Sequence, residues 1–256
     1  MSASRASTAS AASSRSPMPS PPDACEAAAG RRRDAASLRV GGMTALTTID
    51  FPGRLAAVVF CQGCPWRCGY CHNPGLLDAR APSSIAWADV LAFLQARQGL
   101  LDGVVFSGGE PTLQGALAGA IADVQARGFE VALHTAGMYP DRLPAILPQL
   151  DWIGLDLKAP LHRYDAITRV PGSGERAWES LRHWVASDVA GECRTTWHAG
   201  MFDIAELHAL AESIAALGVK HWALQECRGS GASASLGRDD ISRLAARFSS
   251  FTLRKA

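Results

Sequence analysis

AAVVFCQGCPWRCGYCHNP, residues 56–74, decides how this chain is read. A short apolar run, Ala56 to Phe60, leads into four cysteines spaced C-x2-C-x3-C-x2-C from Cys61 to Cys71. The run has the length and composition of a strand buried on both faces, which needs no polar alternation. The loop that follows is dense in thiols, which are soft ligands for metal.

The same grammar recurs downstream. GVVFSGGE (103–110), FEVALHT (129–135), WIGLDLK (152–158), CRTTWHA (193–199) and KHWALQE (220–226) are short, β-branched or aromatic, and bounded by polar or turn residues. Amphipathic stretches lie between them. SSIAWADVLAFLQARQG (83–99) opens on a serine that predicts an N-cap and stops at Gly99. ALAGAIADVQARG (116–128), RAWESLRHWVAS (176–187) and DIAELHALAESIAALG (203–218) read alike, the last with Asp203 as its cap. Strands alternating with helices predict βα repeats around a parallel sheet, and six repeats fit between Ala56 and Phe248. In such folds chemistry gathers at the C-terminal ends of the strands. The cysteines, Gly108-Gly109-Glu110, His134-Thr135, Asp156 with Lys158, and His198 all fall there.

Composition narrows the function class. A net charge of +1 over 256 residues gives no electrostatic reason to expect nucleic acid or an anionic membrane as partner. No apolar stretch is long enough to span a bilayer. Of the seven cysteines, four crowd one loop and Cys25, Cys193 and Cys227 are scattered. That distribution predicts metal in a reducing cytoplasm and not a disulfide framework. Residues 1–36 are rich in Ser, Ala, Pro and Arg and lack apolar periodicity, so they read as a disordered tail or an over-extended start. An Arg- and Ser-rich, acid-poor segment is also how organelle transit peptides read. The folded domain is expected over 37–256.

Three readings of the cysteine loop differ in how many thiols they use. Zinc knuckles come as two C-x2-C pairs set 15–20 residues apart, whereas these pairs are three residues apart. A ferredoxin-type cluster uses C-x2-C-x2-C with a remote fourth ligand. The remaining reading takes Cys64, Cys68 and Cys71 alone, and a four-iron cluster so held keeps one iron open to a small chelating molecule.

C-x3-C-x2-C with Tyr70 before the last cysteine, followed by SGGEP at residues 107–111, resembles the radical S-adenosylmethionine enzymes. IDFPGRLAAVVFCQGCPWRCGYCHNP, SGGEPTLQ, DWIGLDLKAP and the RTT of Arg194–Thr196 are similar to the activating proteins of glycyl-radical enzymes, above all those of anaerobic ribonucleoside-triphosphate reductase. The resemblance covers about residues 38–230. It implies a partial (β/α)6 barrel carrying a [4Fe-4S] cluster on Cys64, Cys68 and Cys71. It implies an oxidoreductase that cleaves S-adenosylmethionine reductively to a 5′-deoxyadenosyl radical and makes a glycyl radical on a partner enzyme. A reducing donor such as flavodoxin or ferredoxin would supply the electron. Tyr70, Gly108, Gly109, Glu110, His134, Asp156, Lys158, Arg194 and His198 would contact S-adenosylmethionine. Glu110 would accept bonds from its ammonium, and Asp156, Lys158 and Arg194 would surround its carboxylate and ribose.

Two positions depart from the activase pattern. His134-Thr135-Ala136-Gly137 stands where Asp-Thr-Asn-Gly is common, so His134 either bonds the ligand or lines the core. Cys61 is a fourth thiol without a ligand role, read as a small apolar residue. Two other function classes stay open: a radical enzyme acting on a small molecule in cofactor or modified-base biosynthesis, and a non-catalytic iron–sulfur or zinc protein.

Overall fold

The computed structural model describes residues 34–227 and 236–255. Among them run eight strands: β1 (Val40–Thr47), β2 (Ala56–Cys61), β3 (Gly103–Gly108), β4 (Glu130–Thr135), β5 (Trp152–Asp156), β6 (Gly191–Trp197), β7 (His221–Glu226) and β8 (Ser250–Arg254). They form one sheet in sequence order, with β1 antiparallel to β2 and every later pair parallel. Because β1 and β8 stand at opposite ends of that order, the sheet is open. The helices are α1 (Trp87–Gln95), α2 (Leu117–Gln125), α3 (Leu143–Ile146), α4 (Leu161–Thr168), α5 (Ser173–Val185), α6 (Ile204–Ala216) and α7 (Arg238–Ala245).

Strands β2 to β7 fall where the apolar runs predict them. The two edge strands were not foreseen. β1 carries two glycines and is buried only at its ends, so its sequence lacks the signature of a core strand. β8 is half-buried or exposed throughout. The serine cap expected for α1 is also corrected: Ala86 is the N-cap, without a side-chain bond. The Ser83 hydroxyl instead accepts from the Val40 N–H at 3.0 Å and donates to the Val40 carbonyl at 2.9 Å, fastening the loop to β1. Asp203 caps α6 as expected, in a capping box closed by Glu206. The expected tail lies outside the described residues up to Arg33. Its last residues belong to a turn at Ala35–Ser37 that Asp34 caps, just ahead of buried Leu38.

Side-chain parity divides the sheet into two faces. Ala57, Val59, Val104, Phe106, Val131, Leu133, Ile153 and Leu155 pack against the helices, meeting residues such as Val90, Leu94, Ile121, Leu181 and Leu210. On the other face Ala56, Val58, Val105, Ala132 and Trp152 form a smaller apolar layer that Phe51 covers, its ring 6.2 Å from that of Trp152. Two residues farther along the strands the same inner face turns polar: Ser107, His134, Arg194 and Gln225 line a cavity.

Candidate functional site

The cysteine loop begins where β2 ends. Cys61 is fully buried on the helix side of the sheet, opposite Gly108 in the β2–β3 register. Burial, with the Glu110 carboxylate nearby, pushes its thiol far up. Cys64, Cys68 and Cys71 instead line one cavity of about 240 Å³, which Cys61 does not reach. The loop is fixed by its backbone: Gly63 N–H donates to Leu76 O (2.8 Å), Cys64 N–H to Leu77 O (3.1 Å) and Arg67 N–H to Thr168 O (2.9 Å). The Gln62 amide donates to Gly75 O and Asp78 O at 3.1 and 2.8 Å. Burial pushes the Cys64 thiol up to about 12, and Cys68 rises for the same first reason. Metal loading must therefore expel protons from these thiols. Lys158 works in favour of the thiolate at both positions.

Gly108 and Gly109 bring β3 against the root of that loop. A Cβ on Gly109 would sit 2.3 Å from Gly63 O, and one on Gly108, at φ +112°, 2.5 Å from Cys61 N. Only glycine allows the approach. Gly109 N–H donates to Cys61 O and Glu110 N–H to Gly63 O, each at 2.9 Å. Both glycines line the cavity; Glu110 does not. Its carboxylate is fully buried and already accepts from Thr112 N–H (3.0 Å), the Thr112 hydroxyl (2.5 Å), the Thr135 hydroxyl (2.7 Å) and Ala136 N–H (2.9 Å). Burial raises its proton affinity and these donors oppose the rise. Here Glu110 ties the end of β3 to the end of β4.

The far wall is charged. Asp156 Oδ1 accepts from Arg194 Nε at 2.9 Å and Oδ2 from Lys158 Nζ at 3.4 Å. Burial pushes the Asp156 carboxyl up, but Arg194 and Lys158 outweigh it and bring it down to about 2. Arg194 lies across β5, donating to Gly154 O at 3.2 Å, and a Cβ on Gly154 would stand 2.6 Å from its guanidinium carbon. Burial disfavours the Lys158 ammonium, while Tyr70, Asp156 and Cys68 hold its proton on. His134 also lines the cavity. Its Nε2 faces Asp50 O at 2.8 Å, so Nε2 carries the proton and donates. Burial and then Arg194 lower it to about 3, so the ring is neutral.

The residues present fit an iron–sulfur cluster with a bound amino-acid-like ligand. Three thiols, a cation–carboxylate group and the two glycines share one cavity. The Tyr70 hydroxyl is buried with no partner among the described residues, while the ring lies 5.8 Å from Lys158 Nζ. Among the described residues no three His, Cys, Asp or Glu side chains close on a point as one ion requires. Thiolates around a single zinc would sit within about 4 Å of one another, given Zn–S bonds near 2.3 Å. His198 stands apart from the cavity, its Nδ1 accepting from Gly200 N–H at 3.1 Å. The sequence reading missed Thr196, Gln225 and Arg254 on the cavity wall. Parity along β6 and β7 could have found the first two; Arg254, paired with Glu192 at 2.6 Å, rides on the unforeseen β8.

Among the described residues no helix is long and apolar enough to cross a membrane. The chain is 29% identical over 184 residues to a protein of Methanocaldococcus jannaschii named for glycyl-radical enzyme activation, covering 68% of this chain and 75% of that one. It is 32% identical over 149 residues to the pyruvate formate-lyase-activating enzyme of Clostridium pasteurianum, covering 56% of this chain and 61% of that enzyme. Among solved structures, QueE from Escherichia coli aligns at 20% identity and a TM-score of 0.53, over 86% of this chain and 93% of that one. Streptococcus suis SuiB bound to S-adenosylmethionine aligns at 12% identity and a TM-score of 0.58, over 76% of this chain and 48% of that one. Both likenesses concern the fold alone. The radical SAM superfamily model matches residues 58–219, more than half of the chain. The chain therefore belongs to the radical S-adenosylmethionine superfamily, and its cofactors are a [4Fe-4S] cluster and S-adenosylmethionine.

Proposed function

We propose that this chain is a cytoplasmic activating enzyme that makes a glycyl radical on a partner, with anaerobic ribonucleoside-triphosphate reductase as that partner. One observation carries the site assignment: Cys64, Cys68 and Cys71 line the same cavity as Asp156, Lys158 and Arg194, while Cys61, wholly buried, does not line it. Cys64, Cys68 and Cys71 would hold the cluster. Lys158 and Arg194 would take the methionyl carboxylate, and Asp156 would keep both cations in place and orient them. Tyr70 offers its ring and a hydroxyl without a partner among the described residues, and Gly108 and Gly109 line the same cavity. Neutral His134 lines the cavity without adding charge. Glu110 acts from behind the wall, holding Thr135 and Ala136. Cluster and S-adenosylmethionine together supply, when bound, reductive cleavage of the sulfonium and a carbon-centred radical that abstracts hydrogen. The chain's own residues bind, orient and exclude water.

The names of the relatives support activation of a glycyl-radical enzyme, and some name pyruvate formate-lyase. The test is anaerobic incubation of the reconstituted protein with a reducing donor such as flavodoxin, S-adenosylmethionine and each candidate partner. A glycyl doublet in the electron paramagnetic resonance spectrum of the reductase, and none on pyruvate formate-lyase, is the expected result. The reverse pattern reassigns the partner. Cleavage of S-adenosylmethionine with no doublet on either overturns the activase reading.

A further inference from the structure

The cysteine loop and the end of β5 are braced by one helix. α4 begins three residues after Lys158, and Tyr164 and Thr168 stand four residues apart on its inward face. Tyr164 is fully buried. Its hydroxyl accepts from Lys158 N–H at 3.0 Å and donates to Asp156 O at 3.5 Å. Its ring stands edge-on to Trp66, centroids 5.8 Å apart at 74°, and Trp66 sits between Cys64 and Cys68. One turn on, Thr168 O accepts the Arg67 N–H that fixes the same loop. The Thr168 hydroxyl bonds Tyr164 O (3.1 Å) and Ser173 Oγ (2.6 Å), and a Cβ on Gly174 of α5 would stand 2.9 Å from Tyr164 Cβ. The ring is thus clamped from behind.

We infer that Tyr164 is a positioning residue: its ring seats the cysteine loop through Trp66, and its hydroxyl sets the Asp156–Lys158 backbone, keeping the cluster side and the S-adenosylmethionine side of the cavity in register. The inference rests on the site reading above. The ladder explains why such a residue is needed. Pairing of β5 with β6 ends at Asp156 and Arg194, and Leu157 N–H makes one further bond to Arg194 O at 2.8 Å. Lys158 N–H lies beyond that ladder, and the Tyr164 hydroxyl is its acceptor. The direction in which the Lys158 side chain leaves the main chain follows from this bond. A displacement of about an ångström at such a point can cost a hundredfold in a reaction that depends on alignment.

The experiment compares Tyr164→Phe, Tyr164→Leu and Lys158→Ala in the full chain, anaerobically reconstituted. Iron content, S-adenosylmethionine affinity by equilibrium dialysis, and the spectrum of the reduced cluster with and without S-adenosylmethionine are measured. Tyr164→Phe keeps the ring, so iron content should match the wild type. Affinity should fall about three- to tenfold, the size of one neutral hydrogen bond, with a smaller spectral change on adding S-adenosylmethionine. Tyr164→Leu should lose iron as well. Two results overturn the proposal while leaving the site reading intact: wild-type affinity in Tyr164→Phe with weakened binding in Lys158→Ala, or iron loss in Tyr164→Phe equal to that in Tyr164→Leu. Wild-type affinity in Lys158→Ala overturns the reading of the β5 end and this proposal with it.

Discussion

On the inner face of the sheet, Ala132 and Trp152 pack in an apolar layer, while His134 and Asp156, farther along the same two strands, line the cavity. The same alternation of side chains produces both layers. In the first, Phe51, Val58, Val105 and Trp152 need only one another. In the second, each charge is held by a named neighbour: Arg194 and Lys158 by Asp156, Arg254 by Glu192. Apolar burial stabilises the fold at one end of the strands. A set of cations that are costly to leave unpaired is retained at the other, which favours a role in binding over one in stability. His134 joins the layers, its ring edge-on to Trp152 at 5.7 Å and its Nε2–H on Asp50 O.

The largest effect should come from the cysteines, where the same division between packing and cavity holds. Cys64→Ala, Cys68→Ala or Cys71→Ala should abolish the brown chromophore or leave a defective cluster, read as iron per chain after reconstitution. Cys61→Ala should keep both its iron and S-adenosylmethionine cleavage, since its thiol is wholly buried and does not line the cavity. Iron loss from Cys61→Ala as complete as from the others would erase the distinction.

A second pair of variants separates the two layers directly. Trp152→Ala should lower unfolding free energy by about 3–5 kcal/mol, the usual cost of emptying a buried aromatic site, with affinity of the folded fraction within about twofold of wild type. Asp156→Asn should do the opposite. It removes a charge-assisted acceptor from Arg194 and Lys158, and S-adenosylmethionine affinity should fall about ten- to a hundredfold on the scale of such bonds. Asparagine keeps one oxygen as an acceptor and the Asp156 side chain is 38% exposed, so the loss of stability should be smaller than that of Trp152→Ala, about 1–2 kcal/mol. Denaturant titration and equilibrium dialysis on both variants give the four numbers. Equal shifts in both quantities for both variants would mean that the layers do not differ.

Much of this arrangement was legible because buried parallel strands announce themselves. Ala56–Phe60 and Gly103–Phe106 are apolar without interruption, and polar residues begin where the strands end. Edge strands carry no such signal: β1 and β8 each have one neighbour, and their composition is mixed. Losing β8 meant losing Arg254 from the site. Glu110 shows a different limit. A carboxylate after two glycines can face the cavity or turn behind the wall, and the choice depends on Thr112, Thr135 and Ala136, two of which lie on another part of the chain. Asp156, Lys158 and Arg194 were legible as a group, since charges within or at the ends of apolar strands require partners.

The smallest effect tests the residue that belongs to both layers. His134 is neutral in the folded chain, lowered to about 3 by burial and then by Arg194, whereas an unfolded histidine titrates near 6.5. Below that value the unfolded state binds a proton that the folded state refuses, so folding stability falls as pH falls. The slope contributed by this one group is at most about 1.4 kcal/mol per pH unit. His134→Asn carries no titrating group and keeps a donor for Asp50 O. Its urea midpoints should therefore depend less on pH than those of the wild type between about pH 6.5 and 5, and the two should converge in slope above neutrality. The difference should survive in protein with Asp156→Asn, because burial acts on the His134 ring first and Asp156 opposes the lowering, so that its loss lowers the ring further. If wild type and His134→Asn keep parallel profiles across that range, the folded histidine binds its proton there as the unfolded one does, and the cavity layer then holds one more cation beside Arg194.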